Sequence, residues 1–257
     1  MPSCMAHYQF GQDVLCGLNR TLRQLIIAYK NEFDIGLQGP DIFFSYQFLT
    51  NPYLLRYGIQ SHACSANRMF APLFAQKPKK ASSFAYLLGL LCHYFLDSAC
   101  HAYVFAQCRG VPEHWKMEAA YDRAIIHRYA YGEARHPYLP AALLDFAGIA
   151  MVWPELSQHT VETSIRATHA LKKAMDARHA LPALAQLCKT YTRLCFWSDA
   201  ELLTKAQLRH EKNLDRLYSQ ALADGIEMIE RLYQSIGQPQ PVYERFKVNF
   251  FGEKVEA

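Results

Sequence analysis

Charged residues are scarce in this sequence. Asp, Glu, Lys and Arg make up 19% of 257 residues, and the formal net charge is only +4. The densest basic stretch is short and runs from Lys77 to Lys80. Binding to a polyanion requires a concentrated basic patch, so we predict no stable nucleic-acid partner. Apolar residues make up 51%, which excludes a disordered chain and indicates a globular protein.

Several other features are missing. The apolar run from Phe84 to Leu96 covers about thirteen residues, whereas a bilayer-spanning helix needs about 20, so we predict no transmembrane segment. The eight cysteines include no C-x-x-C pair, and no signal-peptide pattern is seen. We therefore expect reduced thiols and a cytoplasmic location.

The common catalytic motifs are also lacking. The sequence has no phosphate-binding loop, no dinucleotide-binding fingerprint and no nucleophile elbow. It also contains no adjacent His-Asp pair, which argues against a His-Asp phosphohydrolase. The chemistry must therefore come from another set of residues.

Apolar periodicity predicts an all-α protein of about seven helices that form one domain over residues 1–257. A nearly all-apolar segment, 82–108, is expected to be the buried central helix. The segment from Phe33 to Lys80 is rich in Gly and Pro and is expected to be a functional irregular region, and the tail 242–251 is the one candidate strand. The other predicted helices cover 13–31, 112–131, 158–178 and 181–196, an apolar segment covers 139–153, and a capping box at 198–201 starts a last helix that ends at Gly237.

Three residues within the predicted central helix carry the strongest signal. His93, Asp97 and His101 lie at i, i+4 and i+8, so all three share one helix face. His114 and Glu118 repeat the i, i+4 spacing on the next predicted helix. Imidazole nitrogen and carboxylate oxygen are ligands that suit zinc. Because His93 and His101 are about 12 Å apart along the axis, the pattern favours a cluster of ions over one ion.

A structural alternative applies to each of these residues, since a buried His or Asp is often only a hydrogen-bonded core residue. However, an unpaired buried carboxylate is costly, and Asp97 lies between two histidines in an apolar helix. Metal ligation removes that cost, so we favour the metal hypothesis. A purely structural helical scaffold with polar core networks is the weaker alternative.

Five segments resemble one known family. They are MPSCMAHYQFG at 1–11, GLQGPDIFF at 36–44, LRYGIQSH at 55–62, LLCHYFLDSACHAYV at 90–104 and HWKMEAAYD at 114–122. Together they resemble the zinc-dependent phospholipase C family over about the first 130 residues. The resemblance implies an all-helical fold with a three-zinc cluster, related to the fungal single-strand nucleases.

The resemblance also implies a ligand set. One zinc would be held by Asp41, His62, His93 and Asp97, and a second by His101, His114 and Glu118. A third would use His7 and share Asp97 as a bridge. In secreted relatives the third ion also binds a processed N-terminal residue, and this chain departs from that pattern. We therefore expect two zinc ions, or three.

These observations predict a metal-dependent phosphoric-ester hydrolase that acts on a phospholipid or another phosphodiester. Asp41 is the candidate that orients or deprotonates the attacking water. Two alternatives stay open: a non-catalytic zinc-binding protein, and a phosphodiesterase or nuclease that acts on nucleic acid or small phosphodiesters. A set of aromatic residues is expected to belong to the core or to wall a pocket: Tyr8, Phe43, Phe44, Tyr46, Tyr94 and Tyr103.

Overall fold

Helices account for all the regular structure that the computed structural model describes, which covers residues 4–45, 52–131, 144–177, 205–239, 241 and 243–255. Within these residues the chain forms eleven α-helices and no strand, which confirms the all-α prediction. The helices are α1 (Cys4–Gly17), α2 (Arg20–Ala28), α3 (Lys30–Gly36), α4 (Ile42–Ser45), α5 (Pro52–Ala63), α6 (Ala66–Ala75), α7 (Ala81–Gln107), α8 (Val111–Arg128), α9 (Phe146–Ala150), α10 (Gln158–Ala177) and α11 (Lys205–Gln234). Two 3₁₀ helices cover Gly39–Asp41 and Glu244–Lys247.

Helix α7 is the buried central helix that the apolar run predicts. Side chains from Ser82 to Ser98 are all buried, and α1, α3, α8, α9 and α11 pack around the helix. It is also the one described helix that is long and apolar enough to cross a membrane, but 89% of its most apolar window is buried inside the protein. The apolar character of α7 therefore serves core packing.

The crossing of α3 over α7 depends on two glycines. A Cβ on Gly36 would lie 2.3 Å from the Tyr86 carbonyl oxygen, and one on Gly89 would lie 2.2 Å from the Phe33 carbonyl oxygen. Any side chain at either position would push the two backbones apart. This close crossing brings the chain after α3, which carries Asp41, against the His93 face of α7.

The region from Phe33 to Lys80 is more regular than its Gly and Pro content predicts. Its described residues form short helices, α4 to α6 among them, which is why the helices outnumber the expected seven. The predicted helix over 13–31 is likewise divided into α1 and α2, because the Asn19 side chain caps α2 by accepting the Leu22 N–H at 3.1 Å. Short polar caps thus break apolar stripes that look continuous in sequence.

Other boundaries follow the sequence more closely. Helices α7, α8 and α10 match their predicted ranges within a few residues, and α11 ends before Gly237, which has φ +81°.

In the tail, the described residues 243–255 form a 3₁₀ helix and one isolated bridge between Val248 and Lys254, so the expected strand is absent there. The predicted helix over 181–196 and the capping box at 198–201 lie outside the described residues, as does the first part of the segment 139–153, whose described part contains α9. The single-domain assignment stays a prediction.

The cysteines that the structure describes are free thiols, as expected. Cys4 and Cys92 are buried and Cys16 is exposed. Cys188 and Cys195 lie outside the described residues.

Candidate metal centre

All eight predicted ligand residues converge on one buried region. Their exposed fractions range from 1% to 8%. They form three groups, two of which share His93, and in each group the possible ligand atoms lie within 4.8 Å of one another. The groups are His7, His93 and Asp97; Asp41, His62 and His93; and His101, His114 and Glu118.

Asp97 lies at the middle of the cluster. Its Oδ1 is 3.0 Å from His7 Nε2, and its Oδ2 is 3.0 Å from His93 Nε2. The same Oδ2 lies 3.8 Å from His62 Nε2 and 3.7 Å from His101 Nδ1. The His7 and His93 rings stack at 4.0 Å. One carboxylate therefore faces four histidines from three helices.

The second group joins the chain after α3 to helix α5. His62 Nε2 is 3.3 Å from Asp41 Oδ1. Gly39, in the same 3₁₀ helix as Asp41, has φ +57°, and a Cβ there would lie 2.2 Å from the His93 ring. Glycine thus supplies both the left-handed backbone and the space for His93, which lets Asp41 approach.

The third group joins the C-terminal part of α7 to the start of α8. Glu118 Oε1 lies 2.8 Å from His114 Nε2 and 3.2 Å from His101 Nε2. His114 and Glu118 meet because i and i+4 share a helix face. His93 and His101 thus belong to different ligand groups, as their separation along α7 predicts, and Asp97 lies between them.

Backbone carbonyls fix the orientation of three of the histidines. The Nδ1–H groups of His62, His93 and His101 donate to the carbonyl oxygens of Gly58 (2.7 Å), Leu37 (3.0 Å) and Phe250 (2.8 Å), respectively. A carbonyl can only accept, so each Nδ1 carries a proton and each ring directs its Nε2 at the cluster. Metal-binding histidines are commonly oriented in this way.

The carboxylates of the cluster are held in the ionised form. Burial by itself raises the pKa of the Asp97 carboxyl, but His101, His93 and His7 more than offset it and hold that pKa well below its usual range. Burial also opposes ionisation of Asp41 and Glu118, yet hydrogen bonds from His62, and from His101 and His114, lower their pKa values below the ordinary ones. These carboxylates are therefore anionic ligands at neutral pH.

Two observations test whether zinc fits here. Within the described part of the chain, His7 Nδ1 and Glu118 Oε2 are buried without a hydrogen-bond partner, which is costly unless something else satisfies them. A cavity of about 30 Å³, lined among others by His7, Asp97, His101 and Glu118, is large enough for one water-sized species. A buried set of imidazole and carboxylate donors with unsatisfied atoms suits zinc.

Comparison with known proteins agrees with this chemistry. A family model described as zinc dependent phospholipase C matches residues 6–174. The chain belongs to the zinc-dependent phospholipase C family. All eight candidate ligands lie inside the matched range, which extends beyond the 130 residues over which the resemblance was seen. No curated protein and no solved structure matches the chain.

Membership in the zinc-dependent phospholipase C family implies a zinc-dependent hydrolase that acts on phospholipid.

Sequence reasoning missed the aromatic residues that contact the ligands. Of the expected aromatic residues, Phe43 and Tyr94 are fully buried in the core, and Tyr46 lies outside the described residues. Phe44 does stack on His62, at 5.4 Å. Phe105, Phe250 and Phe251 also contact ligand histidines. The i+4 spacing from His101 was a signal for Phe105, but nothing local pointed to the other two.

Zinc binding at neutral pH is expected to release a proton from His101. Burial alone would lower the pKa of His101, but Asp97 and Glu118 raise it to about 9 from 6.5. The metal-free ring is therefore protonated below pH 9, and zinc must displace that proton. The apparent zinc affinity should then rise about tenfold per pH unit from pH 6.5 toward 9.

Calorimetric titration with zinc at pH 7, in buffers of different ionisation enthalpy, measures the number of protons released. His101→Gln should release about one proton fewer than the parent protein, whereas His127→Gln, on the outer part of α8, should release the same number. Equal proton release by parent and His101→Gln would contradict the assignment.

Proposed function

We propose that this protein hydrolyses phosphodiester bonds in phospholipids at a cluster of two zinc ions, or three. The observation that carries the proposal is the buried array of histidines and carboxylates around Asp97. This array contains polar atoms without a hydrogen-bond partner among the described residues, and it lines a small cavity. Asp41, His62 and His93 would hold one ion, and His101, His114 and Glu118 a second. His7 and Asp97 would hold a third, if it binds.

Asp97 would be shared between positions, because Oδ1 lies 3.0 Å from His7 Nε2 and Oδ2 lies 3.0 Å from His93 Nε2. Bound zinc supplies positive charge that polarises a phosphoryl oxygen and makes water more acidic. The other steps of the reaction depend on the protein's own groups.

Asp41 is the group best placed to orient the attacking water. It is the most exposed of the three carboxylates in the cluster, at 8%. Although burial opposes ionisation, the hydrogen bond from His62 keeps Asp41 anionic, with a pKa below its ordinary value. A strongly ionised carboxylate accepts a hydrogen bond well but is a weak base. We therefore assign Asp41 to positioning the water through a hydrogen bond to one Oδ, more than to removing its proton.

Water is a better candidate nucleophile than the nearest thiol. Cys100 lines the same cavity as His7, Asp97, His101 and Glu118. Burial raises the pKa of the Cys100 thiol, and the nearby Asp97 and Glu118 raise it further. A protonated thiol is a poor nucleophile, which favours direct attack by water over a covalent intermediate.

Metal content and hydrolysis test the proposal together. Protein purified without chelator should contain about two or three divalent ions per chain, given the two-metal precedent for such sites. It should hydrolyse a short-chain phosphatidylcholine faster than bis(nitrophenyl) phosphate or single-stranded DNA. Chelation should abolish the activity, and added zinc should restore it.

The outcomes separate the alternatives. Absence of bound metal with no uptake of zinc would overturn the metal centre itself. Full zinc occupancy with no hydrolysis of any diester would favour the non-catalytic zinc-binding protein. Preferential cleavage of single-stranded DNA would favour the nuclease.

A further inference from the structure

Two phenylalanines lie against both sets of candidate ligands, and we call Phe105 and Phe251 the aromatic lip. The Phe251 ring stacks on His62 at 5.8 Å and lies 6.1 Å from His101. The Phe105 ring stacks on His101 at 5.4 Å and lies 4.8 Å from His114. The two phenylalanine rings contact each other at 5.8 Å. The lip thus connects the Asp41/His62 side of the cluster to the His114/Glu118 side.

Helix geometry places Phe105. It follows His101 by four residues on α7, so the two side chains share one face. Its side chain is 45% exposed, although most of α7 is buried. An exposed phenylalanine directly beside buried metal ligands is therefore an apolar surface at the edge of the site.

A turn anchored at several points holds Phe251. The Asn249 side-chain oxygen accepts N–H bonds from Phe251 (2.9 Å) and Glu253 (3.0 Å). The next residue, Phe250, donates its N–H to the His62 carbonyl at 3.1 Å and accepts from His101 Nδ1 at 2.8 Å. Phe251 is thereby fixed between two ligand-bearing helices, and ligand binding need not order it.

This segment lies outside the range 6–174 that the family model matches. The ligand cluster comes from the matched range, whereas half of the lip is supplied by residues near the C-terminus. The lip therefore combines Phe105, from the matched range, with Phe251, from outside it.

The geometry of the lip favours an alkyl group over a nucleobase. One face of each ring is already covered by a histidine, and the two rings meet at 65°. A base that stacks between aromatic residues needs an open, parallel face. Two rings at a steep angle form an apolar corner, which suits a flexible chain that gains free energy by leaving water.

We propose that the aromatic lip is a specificity-determining element that binds the alkyl or acyl part of the substrate beside the scissile phosphate. This inference rests on the proposed function and extends it by naming the part of the lipid that Phe105 and Phe251 contact. The lip selects phosphate esters with an apolar chain over those without one.

Binding of soluble alkyl phosphates tests the proposal without requiring catalysis. The Kd values of inorganic phosphate, butyl phosphate and hexyl phosphate are measured by calorimetry on the zinc-loaded protein. Hexyl phosphate should bind at least about tenfold more tightly than inorganic phosphate, because each buried methylene contributes to transfer from water. In the double variant Phe105→Ala/Phe251→Ala this ratio should fall to about two or less.

The ratio is internal to each variant, so a general loss of folded protein does not change it. Phe105→Leu/Phe251→Leu should keep most of the preference, because leucine keeps the surface apolar. Ile27→Ala, which removes an exposed apolar side chain (59% exposed) on α2, should leave the ratio unchanged.

Each remaining outcome is decisive. An unchanged ratio in the double alanine variant, or no chain-length preference in the parent, overturns the proposal. Tighter binding of thymidine monophosphate than of hexyl phosphate, lost in the double alanine variant, overturns it in favour of a base-binding lip. A ratio that behaves as expected in a protein that hydrolyses no diester supports the lip and rejects the hydrolase function.

Discussion

Asp97→Asn is expected to lose most of its zinc and essentially all zinc-dependent thermal stabilisation. The Asp97 carboxylate faces His7 and His93 at 3.0 Å, with His62 and His101 within 3.8 Å. The amide of asparagine removes the negative charge that separates neighbouring cations, so bound ions would repel one another in a poorly solvated site. Since metal binding stabilises the folded state, loss of metal should appear directly as a lower Tm.

The measurement compares zinc content and the Tm difference between zinc-loaded and chelated protein. His7→Ala should lose less zinc, because it removes one imidazole at the edge of the cluster, whereas the Asp97 carboxylate lies within 3.8 Å of four histidines. Asp122→Asn is a matched control, since Asp122 is another buried carboxylate, which accepts the N–H groups of Met5 (3.2 Å) and Ala6 (2.8 Å) at the start of α1. It should keep its zinc. Asp97→Asn with the zinc content of the parent protein would contradict the shared-ligand role.

Asp41→Asn is expected to lower turnover by about 100-fold or more while most of the zinc is retained, because loss of a positioned catalytic group typically costs 10²–10⁴ in rate. The asparagine oxygen can still occupy the place of Oδ1 near His62, but the charge that orients the attacking water is gone. Turnover of a short-chain phosphatidylcholine and zinc content are measured on the same preparation.

Asp34→Asn provides the control for this prediction. Asp34 is also a buried aspartate on the neighbouring helix α3, where it pairs with Lys30, and it belongs to none of the ligand groups among the described residues. Its variant should keep near-parental turnover. If Asp41→Asn loses zinc in proportion to its activity, Asp41 acts only as a ligand; if it keeps full turnover, Asp41 has no part in the reaction.

The all-α class and the central helix follow from local sequence patterns. The spacing of apolar residues predicted α7, α8 and α10 to within a few residues, because burial of a helix face imposes its own period on the chain. The same patterns did not predict the helix boundaries that depend on capping side chains. Asn19 divides one apolar stripe into two helices, and the Gly- and Pro-rich stretch before α7 contains short helices that stripe analysis does not detect.

The sequence by itself determined which residues share a helix face in the candidate site. His93, Asp97 and His101 meet at i, i+4 and i+8, and His114 meets Glu118, because the helix repeat of 3.6 residues fixes these relations locally. The same repeat placed His93 and His101 too far apart to share one ion, and the structure indeed places them in separate ligand groups.

Only the tertiary structure decided how these local sets join. His7 contacts Asp97 across 90 positions of sequence. Asp41 approaches the cluster because Gly36, Gly39 and Gly89 leave space beside α7. His101 is oriented by the carbonyl of Phe250. Such contacts depend on where the chain returns after long loops, and no periodicity encodes that. The aromatic lip has the same origin: Phe105 is placed by its own helix, but Phe251 reaches it only because the anchored turn packs the C-terminal segment against α5 and α7.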